Sequence, residues 1–324
     1  MSDCCGPGRG DAADAAAGSR TSLHIAQIPG RAAQASQAAR VSEGAAAAGR
    51  GARPIGTYVE LDGGPFLMGT DADEAIRGDG EGPAREVTVA PFAIGATAVT
   101  VAEFRAFVAA TGHQTDAERF GWSFVFHLDL AADHPPTQGL AAAPWWRQVH
   151  GADWAHPAGP GSTTEGREDH PVVHVSRHDA AAWCDWAGAR LPSEAEWEFA
   201  ARGGLVGTRY AWGDELMPGG RHMANLFQGD FPAVDTGEDG FAGTAPVDAF
   251  PPNGFGLYNV AGNVWEWCLD RFDAPNASPG EFVVRGGSHL CHRSYCDRYR
   301  VAARTGNTPD SSLSHTGFRA VRDR

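Results

Sequence analysis

Two cysteines five positions apart, Cys291 and Cys296, stand in the run Arg285-Gly-Gly-Ser-His-Leu-Cys291-His-Arg-Ser-Tyr-Cys296-Asp-Arg-Tyr-Arg300. Neighbours on a helix face sit three or four residues apart, so this spacing suits a turn or an extended loop, where two thiols can meet. Converging thiols have three common uses: they form a disulfide, they exchange disulfides, or they hold a soft metal ion such as Cu(I). The spacing leaves all three open. Zinc, which wants about four ligands, fits least among the metals.

Oxygen donors gather just before this pair. Asn225-Leu-Phe-Gln-Gly-Asp230 is followed by Thr236-Gly-Glu-Asp239-Gly-Phe241, and then by Asn259-Val-Ala-Gly262-Asn-Val264-Trp-Glu266-Trp267. Asn, Asp and Glu oxygens supplemented by backbone carbonyls suit Ca²⁺, which takes six to eight oxygen ligands. The same residue types are also ordinary turn formers. His170 and His174 are spaced like metal ligands, but Pro171 interrupts any helix that would align them, and a structural role is expected. Trp145-Trp146-Arg147 and Trp154 read as loop aromatics that either fill the core or line a peptide groove.

These residues need a frame, and composition bounds it. The 324 residues suffice for one large domain or two small ones. Gly and Pro together make 63 residues (42 + 21). That is well above ordinary usage and predicts many turns and limited regular structure. All 26 basic residues are arginine, which excludes a Schiff-base or Walker lysine. The net charge of −14 argues against nucleic acid as a main partner and favours a cationic peptide. No run approaches the roughly 18 to 20 apolar residues that cross a bilayer, so no membrane role is expected. Six cysteines (Cys4, Cys5, Cys184, Cys268, Cys291, Cys296) and an N-terminus without an apolar stretch suggest a reducing cytoplasm.

Residues 1–52 are rich in Ala, Gly, Ser and Arg and offer little to bury, which predicts a disordered tail, with Cys4 and Cys5 incidental thiols on it. A single domain is expected over 53–324. Thr57–Leu61, Phe66–Gly69, Val87–Val89 and Phe92–Ile94 read as short strands. Three helices announce themselves by capping boxes: Thr100 with Glu103, Ser176 with Asp179, and Ser193 with Glu196. They are expected to stop at Gly112, Gly188 and Gly203. Cys184 falls on the apolar face of the second and reads as a buried thiol. Beyond Gly203, loops dominate, broken by strands such as Phe282–Arg285 and Phe318–Val321. A loop-rich half of that length must be pinned by something besides ladder hydrogen bonds, and bound cations are one means.

The cysteine run, with Asn307-Thr-Pro-Asp-Ser-Ser312 and Gly317-Phe-Arg319, closely resembles the C-terminal signature of formylglycine-generating enzymes, the sulfatase-modifying factors. Asp169-His-Pro-Val-Val-His-Val-Ser176, Arg190–Glu198, Tyr210–Asp214 and Gly262–Trp267 look like further blocks of that family, so the likeness spans roughly residues 55–322. It implies a loop-rich α+β domain of C-type-lectin-like fold. It also implies an O₂-using oxidase that converts the cysteine of a Cys-x-Pro-x-Arg segment in an unfolded sulfatase to Cα-formylglycine.

Carried over position by position, the resemblance puts Cu(I) on Cys291 and Cys296, with Ser288 and His292 lining the site. It puts one structural calcium on Asn225, Asp239 and the carbonyls of Leu226 and Phe241. A second falls on Asn259, Glu266 and the carbonyls of Gly262 and Val264. Two departures stand out. Cys184 takes a position that is disulfide-bonded in secreted animal members, but Ala320 stands where its partner should be, which fits a reduced bacterial type. His315-Thr316 replaces an Asn and an apolar residue. The competing readings are a calcium-dependent binding module without catalysis, which would be indifferent to loss of the cysteine pair, and a sulfoxide-synthase relative. The His-x-x-x-His-x-Glu iron motif of the latter is broken here by Ser176.

Overall fold

The computed structural model describes residues 56–324. The tail expected at 1–52, with Cys4 and Cys5, lies outside them. The chain opens with four short strands, β1 (Tyr58–Leu61), β2 (Gly64–Met68), β3 (Arg85–Val89) and β4 (Phe92–Gly95). Helix α1 (Val101–Thr111) follows, capped by Thr100 and Glu103 and stopped by Gly112 in the left-handed region. Next come α2 (Asp116–Phe120), β5 (Trp122–Phe126), β6 (Gln138–Gly139) and β7 (Trp146–His150). Helices α3 (Arg177–Trp186) and α4 (Glu194–Arg202) start at the Ser176 and Ser193 capping boxes. After them only strands and turns remain: β8 (Gly229–Asp230), β9 (Val234–Asp235), β10 (Trp265–Arg271), β11 (Phe282–Arg285), β12 (Arg304–Asn307), β13 (Thr316–Gly317) and β14 (Val321–Asp323).

The strands form five small sheets. The largest runs β12-β11-β10-β13, with β13 parallel to β10. A second, β1-β4-β14, ties the start of the domain to its end through antiparallel pairs such as Ile94 with Val321. Helix α4 packs on β10 and β11. Between these layers lies an aromatic core whose largest buried members include Trp183, Trp197, Trp265, Trp267 and Phe318. Cys291 and Cys296 belong to the same packed cluster as Trp265 and Trp267. The result is a loop-rich α+β domain with little helix.

Several expectations need correction. Helix α2 is absent from the sequence reading, although Thr115 and Glu118 form a fourth capping box. Trp146 and Arg147 are not loop residues; they sit in β7, paired with β5. Of the strand expected at Phe318–Val321 only Val321 is in one, at the start of β14; Phe318–Ala320 form the break between β13 and β14, which belong to different sheets. The interruption frees Arg319, which donates to both oxygens of Glu266 and to the carbonyls of Gly95 and Tyr258. One buried guanidinium thus joins β4, the 258 loop and β10.

Candidate active site

The cysteine loop leaves the edge of β11 through Gly286 and Gly287, both at positive φ. A Cβ on Gly286 would meet the Trp197 ring at 3.2 Å, and one on Gly287 the Arg298 carbonyl at 3.0 Å, so the chain passes only because both positions lack a side chain. Two turns follow. In the first, the Cys291 amide donates to the Ser288 carbonyl (2.9 Å), and the Ser288 amide points at Cys291 Sγ (3.4 Å). In the second, the amides of Tyr295 and Cys296 both donate to the His292 carbonyl (2.9 and 2.7 Å). Together they bring Cys291 Sγ and Cys296 Sγ to 3.1 Å. That is longer than a disulfide bond of about 2.05 Å. The two free thiols could be oxidised to a disulfide or could share a soft metal ion. Both sulfurs sit in residues only 2 % and 1 % exposed.

The base of the loop is clamped by charge. Arg285 donates to Glu194 (2.8 Å), to Glu198 (2.5 Å) and to the Val301 carbonyl (2.8 Å), so one side chain grips both ends of the loop. Its guanidinium stays protonated despite burial because the two carboxylates beside it outweigh the lost solvation. Further along, Arg298 pairs with Asp79 (2.6 Å) and Arg300 forms a bidentate pair with Glu81 (2.6 and 2.9 Å). These ion pairs are buried, where their main effect is to fix geometry. They anchor the cysteine loop to a segment more than two hundred residues earlier.

Beside Cys291 lies a cavity of about 280 Å³ whose wall includes Trp212, Phe227, His292 and Tyr299. Burial, reinforced by the Asp297 carboxylate, pushes the Tyr299 phenol up, so it remains a neutral hydroxyl. His292 lines this cavity, with Nδ1 2.7 Å from Ser294 Oγ. Ser288 lies behind the pair, where its hydroxyl accepts from the Leu290 amide and meets His315 Nδ1 at 2.9 Å. His315 is wholly buried and stands edge-on to Trp146 at 4.7 Å. The sequence marked His315 only as a departure; here it is a direct partner of Ser288. On the other flank Tyr295 stacks on Phe231 (4.6 Å) and meets Trp145 edge-on (5.0 Å). Of the three tryptophans weighed as groove residues, only Trp145 adjoins the cysteine loop; Trp146 and Trp154 are buried.

The other two cysteines among the described residues, Cys184 and Cys268, are chemically quiet. Burial pushes the Cys184 and Cys268 thiols well above their ordinary range. His174 spends both ring nitrogens on Ser123 Oγ and the Pro157 carbonyl, as a structural residue does. A direct consequence concerns labelling. In the native protein, iodoacetamide is expected to reach Cys291 first among these four thiols, with Cys184 and Cys268 modified only after denaturation. Peptide mapping after a timed quench checks the order.

The oxygen-rich segments meet behind the loop. A Cβ on Gly262 would strike the Asn225 carbonyl at 2.3 Å, so the two sets of proposed calcium donors adjoin. In the first set, the Asp239 carboxylate accepts from the amides of Leu226 and Phe241 (2.8 and 3.1 Å), and burial raises its pKa to about 6. A divalent cation would offset that desolvation. In the second set, Asn259 sits at φ 48°, and its Oδ1 is buried with no hydrogen-bond partner. An orphaned buried acceptor of this kind fits a cation. Glu266 fits less well. Its Oε2 already accepts from Trp197 Nε1 and Arg319 Nε, so only Oε1 keeps a lone pair.

Similarity to known proteins agrees with this geometry. Residues 45–324 match the model of the sulfatase-modifying factor enzyme 1-like domain. The chain is 57 % identical to a formylglycine-generating enzyme of Thermomonospora curvata, over 82 % of this chain and 93 % of that protein. It is 56 % identical to one of Streptomyces coelicolor, over 86 % and 94 %. Among solved structures, that of PvdO from Pseudomonas aeruginosa superposes with a TM-score of 0.58 at 26 % identity, covering 84 % of this chain and all of that one. With its paired sulfurs set in this loop-rich α+β frame, the chain belongs to the formylglycine-generating enzyme family, the sulfatase-modifying factors.

Proposed function

We propose that this protein activates sulfatases by oxidising the cysteine of an extended Cys-x-Pro-x-Arg segment to Cα-formylglycine, with O₂ as electron acceptor and Cu(I) held by Cys291 and Cys296. The observation that carries the reading is the 3.1 Å approach of two buried sulfurs, one of them, in Cys291, belonging to a residue that lines the cavity. In the reaction the substrate's CH₂–SH becomes an aldehyde. Two electrons and two protons are removed, water supplies the carbonyl oxygen, and the sulfur leaves as hydrogen sulfide. A copper ion on the two sulfurs supplies the one-electron reactivity that ground-state O₂ needs before it will attack a closed-shell thiol.

The chain's own residues do the rest. The Ser288 amide, aimed at Cys291 Sγ, favours its thiolate. The apolar cluster around the pair excludes water, which strengthens each such contact. Tyr295, Trp145 and Phe231 offer an aromatic flank on which an extended, proline-containing peptide can lie. The acidic balance of the chain suits a segment that carries an arginine. The test is to incubate copper-loaded protein in air with a peptide containing Cys-Thr-Pro-Ser-Arg. The product should have lost its sulfur and gained a hydrazine-reactive aldehyde. A peptide that emerges unchanged overturns the reading and leaves a binding module in its place.

Two calcium ions complete the proposal, held by Asn225, Leu226, Asp239 and Phe241 and by Asn259, Gly262, Val264 and Glu266. Their role is to pin the loop-rich half beneath the cysteine loop. Removing calcium with a chelator is expected to lower the melting temperature, and restoring it at about a hundred times its Kd should return about 2.7 kcal/mol per site. Asp239→Ala should shrink that response, and differential scanning calorimetry reads both.

A further inference from the structure

The chain contains four methionines: Met1, Met68, Met217 and Met223. Met68 is buried in β2, where its sulfur accepts from Arg85. Met217 and Met223 line the cavity beside Cys291, and so do His222 and His292. One wall therefore collects two thioethers, two imidazoles and one of the paired thiols. Thioether and thiolate are soft donors that favour Cu(I), and imidazole also binds copper. They are also graded by depth. Met217, His222 and Met223 are partly exposed, whereas Cys291 is buried.

From this arrangement we infer that the cavity is an entry path for Cu(I), with Met217 and Met223 as transient ligands that pass the ion inward to Cys291 and Cys296. The inference rests on the copper reading given above. A buried thiol pair cannot easily take an ion from water, because the ion would lose its ligands before gaining new ones. Neutral thioethers on the wall keep it coordinated during transfer, and they hold it more weakly than two thiolates, so the movement runs downhill. The step is ligand exchange alone: copper–thioether bonds break, copper–thiolate bonds form, any proton still on either cysteine sulfur passes to solvent, and no electron moves. Among the described residues no three His, Cys, Asp or Glu side chains lie close enough together to hold an ion.

The test uses metal-free full-length protein mixed in a stopped-flow instrument with the coloured Cu(I)–bicinchoninate complex. Leucine conserves the volume of methionine, so M217L/M223L should fold normally. The double variant is expected to take up copper about tenfold more slowly than the wild type while reaching the same final stoichiometry. M68L, the control, should match the wild type. Equal loading rates for M217L/M223L and wild type would overturn the entry path and leave the copper reading standing. If C291A/C296A retains as much copper as the wild type, or the wild type takes none, the copper reading fails and the path fails with it.

Discussion

Cys291→Ala and Cys296→Ala should each abolish aldehyde formation, by about a thousandfold or more, while leaving the protein folded. The two sulfurs act as a unit, so removing one is expected to cost as much as removing both. The Ser288 amide's contact with Cys291 Sγ is long, at 3.4 Å, and a buried cysteine otherwise packs as a small hydrophobe. Truncation to alanine should therefore lower stability by only about 1 kcal/mol. Cys184→Ala provides the contrast: it is a free thiol on the core face of α3, and its loss should affect melting but not turnover. Product quantification beside circular dichroism melts separates the two behaviours. A Cys296→Ala variant with wild-type turnover would remove the pair from the chemistry.

The second large effect concerns Arg285. Its guanidinium is fully buried and donates to Glu194, Glu198 and the Val301 carbonyl. Arg285→Ala leaves two carboxylates short of a partner and a carbonyl without its donor, and breaking such a network typically costs about 3 to 5 kcal/mol. Arg202 and Arg304 continue to neutralise Glu198 and Glu194, which places the expected loss toward the lower end. Because the same side chain spans both ends of the cysteine loop, turnover should fall as well, at temperatures where the variant is still folded. Urea unfolding with parallel activity measurements checks both.

Local signals are legible in this sequence, and distant ones are not. The capping boxes at Thr100, Ser176 and Ser193 need only four consecutive residues, and all three helices start where those residues stand. The five-residue spacing of Cys291 and Cys296 pointed to a turn, and a turn is what brings the sulfurs together. Strand β10 escaped notice because it does not alternate: its first four residues, Trp265 to Cys268, are all buried. Glu266 looks solvent-facing by type, yet it is buried with Arg319 and Trp197, fifty-three and sixty-nine positions away, as its donors. The Asp79–Arg298 and Glu81–Arg300 pairs that steady the loop have no local signature. Nor does the meeting of Ser288 with His315, which depends on β13 lying parallel to β10.

The most direct measurement is a titration of metal-free protein with Cu(I), with copper occupancy and aldehyde formation recorded at each step. Turnover should rise in proportion to bound copper, reach its plateau at one ion per chain, and vanish when both cysteines are replaced. Metal-free protein that converts the peptide equally fast, with a thiol reductant as its only supplement, would contradict the account.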